Sequence, residues 1–347
     1  MWKVEPLQIL IAIGLDLILG DPKNWPHLTK VTGFLATAYE RLTRNWFTQP
    51  LTSSPIPLPH LSPPLAKGRM GGVVKEEIPE AKERKGEIIA GAIFWLMICG
   101  TMLGGYFLIS SALIYIHPKA VWIFQIMILY QTIAAMDLAR HVHAVQKPLR
   151  NRKLQEARAK LSLIVGRDTA NLNETEIARA TIESVAESSN DGFVAPLFWT
   201  VIAGAPGALL YRVANTLDSI VGHRTPAYEY FGKASARMDD VLSWLPARIC
   251  ALLLALQNGL RHWSKIQKEA KNHASPNAGW SEAAMAYLLG VQLGGESSYN
   301  GQKVAGPIFN REGRNAGAHD IASSLRCFWY VIIFSSIIFL IVSVSLN

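Results

Sequence analysis

The sequence contains few cysteines and few charged residues. Only 3 of its 347 residues are cysteine and only 17% are charged, whereas 50% are hydrophobic. Cys99, Cys250 and Cys327 lie far apart and form no CxxC pair. This spacing argues against a disulfide framework and against a structural zinc site. The low charge and the high apolar content are typical of membrane proteins rather than of soluble enzymes of this length.

Internal repeats and a GxxxxGK[ST] phosphate-binding loop are also missing, so no motif in the sequence indicates nucleotide binding. Basic residues outnumber acidic ones, and the formal net charge is +8. Such a charge suits nucleic acid, an anionic membrane surface or an acidic substrate. The long apolar runs favour the last two, and we expect no nucleic-acid partner.

Those runs predict an all-α, polytopic integral membrane protein with about four to six membrane helices, because a bilayer core of roughly 30 Å needs about 20 apolar residues per helix. The clearest runs are 88–116, 120–136 and 328–346, and a shorter run at 4–19 is a fourth candidate. Two more, at 193–214 and 241–256, contain proline and arginine, which suits helices buried in protein better than lipid-facing spans. We interpret 4–19 as a retained membrane helix rather than a cleaved signal. One membrane-embedded domain should cover residues 1–347.

Lysine and arginine are dense in three polar regions, 21–87, 137–192 and 257–326. The positive-inside rule places such regions in the cytoplasm. We therefore predict a multi-pass protein of the cell inner or plasma membrane with a cytoplasmic active site. Residues 48–74 are rich in proline, serine and glycine without periodicity, which predicts a disordered insertion.

The first polar motif lies on a predicted helix that begins after Asn173, which has the spacing of a capping box with Glu176. Four charged side chains then recur every fourth residue and share one helix face: Arg179, Glu183, Glu187 and Asp191. Three carboxylates and one guanidinium in this pattern could hold a hydrated Mg²⁺ or clamp an amine. The alternative is a solvated helix face joined by salt bridges.

A second polar cluster lies at 215–248, between two apolar runs, where isolated charges are costly unless they are paired or functional. Its members are Asn215, Asp218, His223, Arg224, Arg237, Asp239 and Asp240. The adjacent Asp239 and Asp240 could ligate Mg²⁺ on nucleotide phosphates. Either Arg224 or Arg237 could bind a phosphate through two hydrogen bonds. The alternative is a set of interfacial charges that anchor helix ends.

The third motif runs over 273–299 and contains His273, Asn277, Trp280, Gly294 and Gly295. Ser281 is expected to cap a helix of small residues that ends at Gly290. Backbone N–H groups at such a helix start attract carboxylate or phosphate. The glycine pair and the aromatic face would let a large ligand approach closely, although SPNAG is also ordinary turn chemistry.

Two smaller features are further candidates. Asp16 lies inside an apolar run, where an ionisable side chain is a functional candidate by default. Asp137 and His141 are one helical turn apart and could bind a metal ion. The alternative for this pair is a polar helix end that leaves the membrane.

Taken together, these segments resemble the adenosylcobinamide-phosphate synthase family, the membrane CobD/CbiB proteins. The resemblance runs in order over nearly the whole chain outside 48–74. The matching strings are LDLILGDP at 15–22, VGRDTANL at 165–172, ARATIESVAESSNDGFVAPLFW at 178–199, YRVANTLDSIVGHR at 211–224, FGKASARMDDVLSWLPAR at 231–248 and SPNAGWSEAAMAYLLGVQLGG at 275–295. The chain departs from the family pattern at His27-Leu28-Thr29, where an HPV-like continuation is expected.

The resemblance implies a role in cobalamin biosynthesis, in which adenosylcobyric acid is condensed with aminopropanol or its phosphate to give adenosylcobinamide or its phosphate. Joining a carboxylate to an ammonium in water requires activation. We therefore expect ATP-dependent activation, with an acyl phosphate as the intermediate and Mg²⁺ to neutralise the phosphates. The corrinoid is a substrate in this scheme. The lipid bilayer and other cobalamin-assembly enzymes are the expected partners.

The predicted catalytic residues are Glu183, Glu187, Asp191, Asp218 and His273, with His273 as a base. The predicted metal ligands are Glu187, Asp191, Asp239 and Asp240. The residues predicted to bind substrate or phosphate are Arg167, Asn190, Asn215, Arg224, Arg237, Asn277, Trp280, Gly294 and Gly295.

Two other functions are alternatives. In a membrane transporter or corrinoid-binding scaffold the charges would line a path, yet most of them lie in the long polar connections. A lipid-type phosphotransferase would show a characteristic pattern of aspartates on one helix pair, and here Asp191-Gly192 is followed by apolar residues instead.

Overall fold

Helices make up most of the fold, and short strands occur only near its C-terminal end in the part of the chain that is described. The computed structural model describes residues 3–22, 27–47, 81–222, 227–299 and 301–346. The helices are α1 (Pro6–Leu19), α2 (Leu28–Phe47), α3 (Ala81–Ile116), α4 (Pro118–Thr132), α5 (Ala135–Arg150), α6 (Leu154–Leu161), α7 (Glu174–Ser189), α8 (Ala195–Val221), α9 (Lys233–Leu256), α10 (Trp263–Ala270), α11 (Ala278–Leu289) and α12 (Ala318–Leu346). The predicted insertion at 48–74 and Arg224 both lie outside the described residues.

Four helical stretches are long and apolar enough to cross a membrane, which confirms the all-α, polytopic prediction. They are Arg84–Ile116, Pro118–Arg150, Glu174–Val221 and Ala318–Ser345. Helix α1 has 14 residues, which span about 21 Å at about 1.5 Å per residue and fall short of a bilayer core of roughly 30 Å. The run at 241–256 lies in α9, which is not one of the four stretches.

The second stretch is interrupted between α4 and α5, where Asp16 of α1 supplies a hydrogen-bond acceptor. Its Oδ2 atom accepts from the N–H groups of Ala135 and Met136, at 3.2 and 3.1 Å. The first N–H groups of a helix have no partner within that helix, and a carboxylate beside them also interacts favourably with the helix dipole. The buried Asp16 is thus explained as the cap of α5.

The third stretch contains two irregularities that shape the site. A π-helical turn covers Asn190–Val194, and such turns add one residue to the helical repeat at the point where the acidic face of α7 ends. Further along, α8 is broken at Ala203 and Gly204. Gly204 has a φ of +65°, and Pro206 cannot donate the backbone hydrogen bond that a continuous helix would need.

Helix α7 lies in the protein interior, so its acidic face is not a solvated one. Glu183 and Glu187 are only 5% and 9% exposed. α7 packs against α11 and α12, while α9 packs against α8 and α11. Fully buried small residues, such as Ala186 and Ala283, allow these helices to approach closely. The solvated-face alternative for the first motif is therefore wrong.

Two small antiparallel sheets follow α11, and the all-α prediction did not include them. The strands are β1 (Leu293–Gly294), β2 (Ser297–Tyr299), β3 (Gln302–Val304) and β4 (Ile308–Phe309). β1 pairs with β4, and β2 pairs with β3. Gly294 has a φ of +77°, and a Cβ atom on it would lie 2.0 Å from the carbonyl oxygen of Pro307. Only glycine fits at position 294, because β1 and β4 approach each other closely there.

Candidate active site

Carboxylates from three elements converge on one small pocket, which we call the acidic pocket. α7 and the π-helical turn contribute Glu187, Asn190 and Asp191, α8 contributes Asp218, and α9 contributes Asp239 and Asp240. The wall is completed by polar side chains of α9 and of the start of α11. These are Ser243, Ser275, Asn277 and Ser281. Sequence positions separated by about fifty residues thus form one site.

Hydrogen bonds orient the aspartates in this pocket. The Oδ1 atom of Asp191 accepts from the hydroxyl of Tyr211 at 3.1 Å and from Nδ2 of Asn190 at 2.8 Å. Asn215 donates to Oδ1 of Asp239 at 3.4 Å. Asn277 donates to the backbone carbonyl of the neighbouring Asp240 at 2.8 Å. The amide side chains therefore position the acidic ones.

The donor set of the acidic pocket suits Mg²⁺, although no preformed cage exists. Within the described ranges, no three His, Cys, Asp or Glu side chains lie close enough together to hold a metal ion. Mg²⁺ keeps several waters and needs only one or two carboxylates together with substrate phosphates. In addition, the buried Oδ1 atom of Asn190 accepts no hydrogen bond from any described residue, which leaves an oxygen ligand available in the pocket wall. The assignment of Glu187, Asp191, Asp239 and Asp240 as metal ligands therefore remains a prediction.

A larger cavity of about 710 Å³ adjoins the acidic pocket and is rich in cations. We call it the cationic cavity. Its positively charged side chains are Lys233, Arg237, Arg248 and Lys271, and its carboxylates are Glu229 and Asp240. Among the described residues, none of the four cations forms an ion pair with a carboxylate. Unneutralised cations around a cavity favour an anionic ligand.

Aromatic rings hold one of these cations in place. The guanidinium of Arg248 lies 4.8 Å from the ring centre of Trp280 and 4.2 Å from that of Trp244. It also lies within hydrogen-bonding distance of Oδ1 of Asn277, at 3.3 Å. Trp280 and Asn277 therefore fix the position of a cation at the wall shared with the acidic pocket.

A third cavity, of about 280 Å³, lies on the other side of Glu187. We call it the glutamate cavity, because Glu183, Glu187 and Glu282 all line it. Glu183 is held by three partners. Nη1 of Arg167 lies 2.7 Å from Oε2, the N–H of Gly294 donates to Oε1 at 2.7 Å, and Nε of Arg179 lies 3.9 Å from Oε1. Glu183 thus ties the glycine pair to α7.

Burial gives two groups in this cavity unusual acidities. The pKa of Glu282 is raised well above 4.5, first by burial and then by the nearby charge of Glu183, while Arg167 opposes the increase. Burial also raises the pKa of the Tyr299 hydroxyl. Burial by itself lowers the pKa of Arg167, but the combined interactions with Glu183, Tyr299 and Glu282 outweigh it, so the pKa is raised. Glu282 therefore holds its proton more strongly than an ordinary carboxyl.

The three cavities share walls and form one continuous site. Glu187 lines both the acidic pocket and the glutamate cavity, and Asp240 lines both the acidic pocket and the cationic cavity. His273 lies between the cationic and the glutamate cavities. Its Nδ1 atom accepts a hydrogen bond from the Ser275 N–H at 3.0 Å, and its Nε2 atom lies 3.8 Å from Oε1 of Glu282. A space lined by cations thus meets a space lined by carboxylates at this histidine.

The sequence profile of the family described as CobD/Cbib protein matches residues 9–328. The chain belongs to the CobD/CbiB family. It is 36% identical over 325 residues to the "Cobalamin biosynthesis protein CbiB" of Salmonella choleraesuis (strain SC-B67), covering 92% of this chain and 91% of that protein. It is 34% identical over 325 residues to the "Cobalamin biosynthesis protein CobD" of Citrobacter koseri and to that of Klebsiella pneumoniae, with the same coverage in both cases. No solved structure matches the chain.

In this member of the CobD/CbiB family, most of the predicted site residues line the three cavities. Asn215 lies one layer behind the acidic pocket, because it contacts Asp239 rather than the pocket itself. Asp137 and His141 line none of the three cavities. Their side chains pair with each other, with His141 Nδ1 3.4 Å from Asp137 Oδ2.

One detail of the third motif was wrong. Ser281 does not cap a helix, since α11 already begins at Ala278 and Ser281 donates to the Ala278 carbonyl from inside it. The hydroxyl of Ser275 instead accepts from the N–H groups at the helix start. The predicted end at Gly290 is confirmed, because this glycine has the left-handed conformation that closes α11.

Sequence reasoning missed several residues of the site. Glu282, Tyr299, Lys233, Arg248 and Lys271 line the cavities without having been predicted. Glu282 carried a usable signal, because a carboxylate among small residues on an apolar helix is costly unless it has a partner or a role. Lys233 and Lys271 carried none, since lysines at helix ends are common on ordinary surfaces.

Proposed function

We propose that this chain is an amide-forming synthase of cobalamin biosynthesis. It joins aminopropanol or aminopropanol phosphate to a propionate side chain of adenosylcobyric acid and yields adenosylcobinamide or its phosphate. One observation carries the proposal: a cavity lined by cations that form no ion pair among the described residues meets a cavity lined by carboxylates at His273. A carboxylate and an ammonium, the two reactants of amide formation, would each find an oppositely charged space there. The family membership and the printed names of the relatives support the same pathway.

Carboxylate activation is assigned to the wall between the acidic pocket and the cationic cavity. ATP would supply a phosphoryl group to the carboxylate, and Mg²⁺ would neutralise phosphate charge. Asp191, Asp239 and Asp240 are the residues proposed to hold the ion. Arg237 and Arg248 would bind phosphate or carboxylate oxygens by charge-assisted hydrogen bonds, which are stronger than neutral ones.

The site is proposed to face the cytoplasm from the cell inner or plasma membrane. Three polar regions that contribute to it, at 154–173, 222–243 and 257–317, lie between the apolar stretches and contain lysine and arginine, whereas Glu187, Asp191 and Asp218 lie within the third stretch. The positive-inside rule favours the cytoplasmic side for such regions. The bilayer would also keep the corrinoid near other cobalamin-assembly enzymes.

Product mass is the direct test. Detergent-extracted protein is incubated with adenosylcobyric acid, aminopropanol phosphate, Mg²⁺ and ATP, and each component is omitted in turn. The proposal expects a corrinoid heavier by one condensed amine, with the yield reduced at least about 100-fold in Asp191→Asn and Asp239→Asn. Glu312→Gln is the control, because Glu312 is exposed and lies outside the three cavities.

The omission experiments test the activation step and the synthase activity separately. Amide formation without any nucleoside triphosphate would remove the activation step and leave the synthase. Corrinoid binding by folded protein, with no mass change when every component is present, would contradict the synthase and favour a corrinoid-binding scaffold or transporter.

A further inference from the structure

We infer that the glutamate cavity is the subsite for a small primary amine, and that the Glu282 carboxylate beside His273 binds the ammonium group and accepts its proton. This inference rests on the proposed function, because it names where the second substrate of amide formation is bound. It also assigns a catalytic role to Glu282.

The charge of the cavity favours a cation. Three carboxylates, Glu183, Glu187 and Glu282, face one guanidinium, that of Arg167. Arg167 is already paired with Glu183 at 2.7 Å, and the ion-pair partner of Glu282 among the described residues is the imidazole of His273, at 3.8 Å. A cation of one unit charge would reduce this imbalance.

The carboxylate of Glu282 is buried and can accept hydrogen bonds from a ligand. Its residue is 8% exposed, yet among the described residues no hydrogen-bond donor contacts either of its oxygens. His273 Nε2 lies 3.8 Å from Oε1, beyond hydrogen-bonding distance. A buried carboxylate without donors is unfavourable, whereas a primary ammonium offers three N–H donors in a compact group.

The size of the cavity limits the ligand. A volume of about 280 Å³ admits a molecule such as aminopropanol or its phosphate, whereas ligands of drug size occupy pockets of about 300–1,000 Å³. A corrinoid would have to remain in the larger cationic cavity. Since His273 and Ala274 line both spaces, an amine nitrogen beside Glu282 would face the activated carboxylate across this wall.

The proposed step moves one proton from the ammonium group of the substrate to the carboxylate of Glu282. The ammonium gives one proton to the Glu282 carboxylate, which becomes a neutral carboxyl, and the nitrogen retains the electron pair. As this pair forms the C–N bond to the carbonyl carbon of the acyl phosphate, the C–O bond to the phosphate breaks, and the phosphate leaves with the second proton of the nitrogen. The raised pKa of Glu282 supports this step, because a more basic carboxylate accepts the proton more readily. The titratable or charged groups that face it are Arg167, Glu183, Glu187, His273 and Tyr299.

The test compares Glu282→Gln, which keeps the shape but removes the charge, with Glu282→Asp, which keeps the charge. Glu312→Gln, at an exposed position, is the control. In Glu282→Gln we expect kcat/KM for aminopropanol phosphate to fall by about 10²-fold or more, with the KM for adenosylcobyric acid unchanged. Glu282→Asp should recover part of the loss. Thermal unfolding of each variant checks that the fold persists.

A pH profile and a binding measurement complete the test. Glu282 must be ionised to accept the proton, so the wild-type rate should fall as the pH decreases through its raised pKa, and this acidic limb should disappear in Glu282→Gln. Calorimetry with aminopropanol alone should show binding to the wild type and to Glu312→Gln but not to Glu282→Gln.

The possible results separate this inference from the proposed function. Unchanged amine kinetics and an unchanged acidic limb in a folded Glu282→Gln protein would overturn the inference while the synthase stands. Glu282-dependent binding of aminopropanol by a wild-type protein that forms no amide would support the subsite and overturn the proposed function.

Discussion

Replacing Glu183 by glutamine should destabilise the protein more than replacing an exposed carboxylate. The Glu183 and Arg167 side chains are 6% and 16% exposed and form an ion pair at 2.7 Å. A glutamine could still accept from the Gly294 N–H, but it would leave a buried guanidinium without its counter-charge. Removing one partner of such a pair typically costs about 3–5 kcal/mol. Because Arg167 also donates to Ser297 at 3.1 Å, we expect about 3 kcal/mol.

The chain offers a matched exposed pair as a control. Lys303 Nζ lies 2.7 Å from Oε1 of Glu296, with side chains 75% and 58% exposed. Solvent screens such pairs, and their loss costs little. Glu296→Gln should therefore change the free energy of unfolding far less than Glu183→Gln does, and added salt should reduce even this small effect.

Denaturant unfolding in detergent measures both effects, and a double-mutant cycle with Arg167→Gln isolates the interaction. The double variant should be less destabilised than the sum of the single variants, because the second substitution removes a charge that no longer has a partner. If Glu183→Gln is no more destabilising than Glu296→Gln and yet abolishes amide formation, the reasoning is refuted. Glu183 would then act on the substrate, as the sequence suggested, rather than by holding Arg167.

Three further predictions concern other parts of the structure. Gly294→Ala should lower both stability and amide formation, because its Cβ would lie 2.0 Å from the Pro307 carbonyl oxygen; unchanged unfolding and activity would contradict the close crossing. Arg237→Gln combined with Lys271→Gln should raise the KM for the corrinoid about tenfold or more, because its reacting carboxylate would lose two nearby cations, whereas an unchanged KM would exclude the cationic cavity as the site of that carboxylate. Burial lowers the pKa of His27 from 6.5 to about 4, so its stabilising effect is fully present above pH 6.5 and is lost as the pH falls towards 4. His27→Gln should reduce this pH dependence of the free energy of unfolding. If that free energy changes equally with pH in the wild type and the variant, His27 is not the source of the dependence.

Local signals in the sequence predicted local structure well. Asn173 and Glu176 form the expected capping box at the start of α7, and the predicted runs at 88–116 and 120–136 lie in the separate helices α3 and α4. These features depend on neighbours within a few residues, so the residue types are sufficient. The boundaries of α11 show the limit of this approach, because Ser275 and Ser281 are both good caps and only the fold selects between them.

The acidic motifs were identified as candidates, but their grouping was not predictable. Asp191 and Asp239 belong to separate motifs, and nothing in their local sequence specifies that α7, α8 and α9 direct both into one pocket. The role of Asp16 also depends on a segment that lies far away in the sequence. Its carboxylate caps α5, which begins more than one hundred residues later, so the apolar run around it could not reveal this partner.

Composition and pattern alone determined that this is a helical membrane protein with clusters of acidic residues, because every apolar run must match the thickness of the bilayer and satisfy its backbone hydrogen bonds internally. The family was also readable from the sequence, since its strings are long and occur in order. Only the tertiary structure decided that cations without ion pairs to any described residue surround one cavity, that Glu282 and His273 share a wall, and that Glu183 is bound to Arg167. Those facts depend on contacts between segments far apart in the chain, and such contacts are fixed by packing rather than by any local preference.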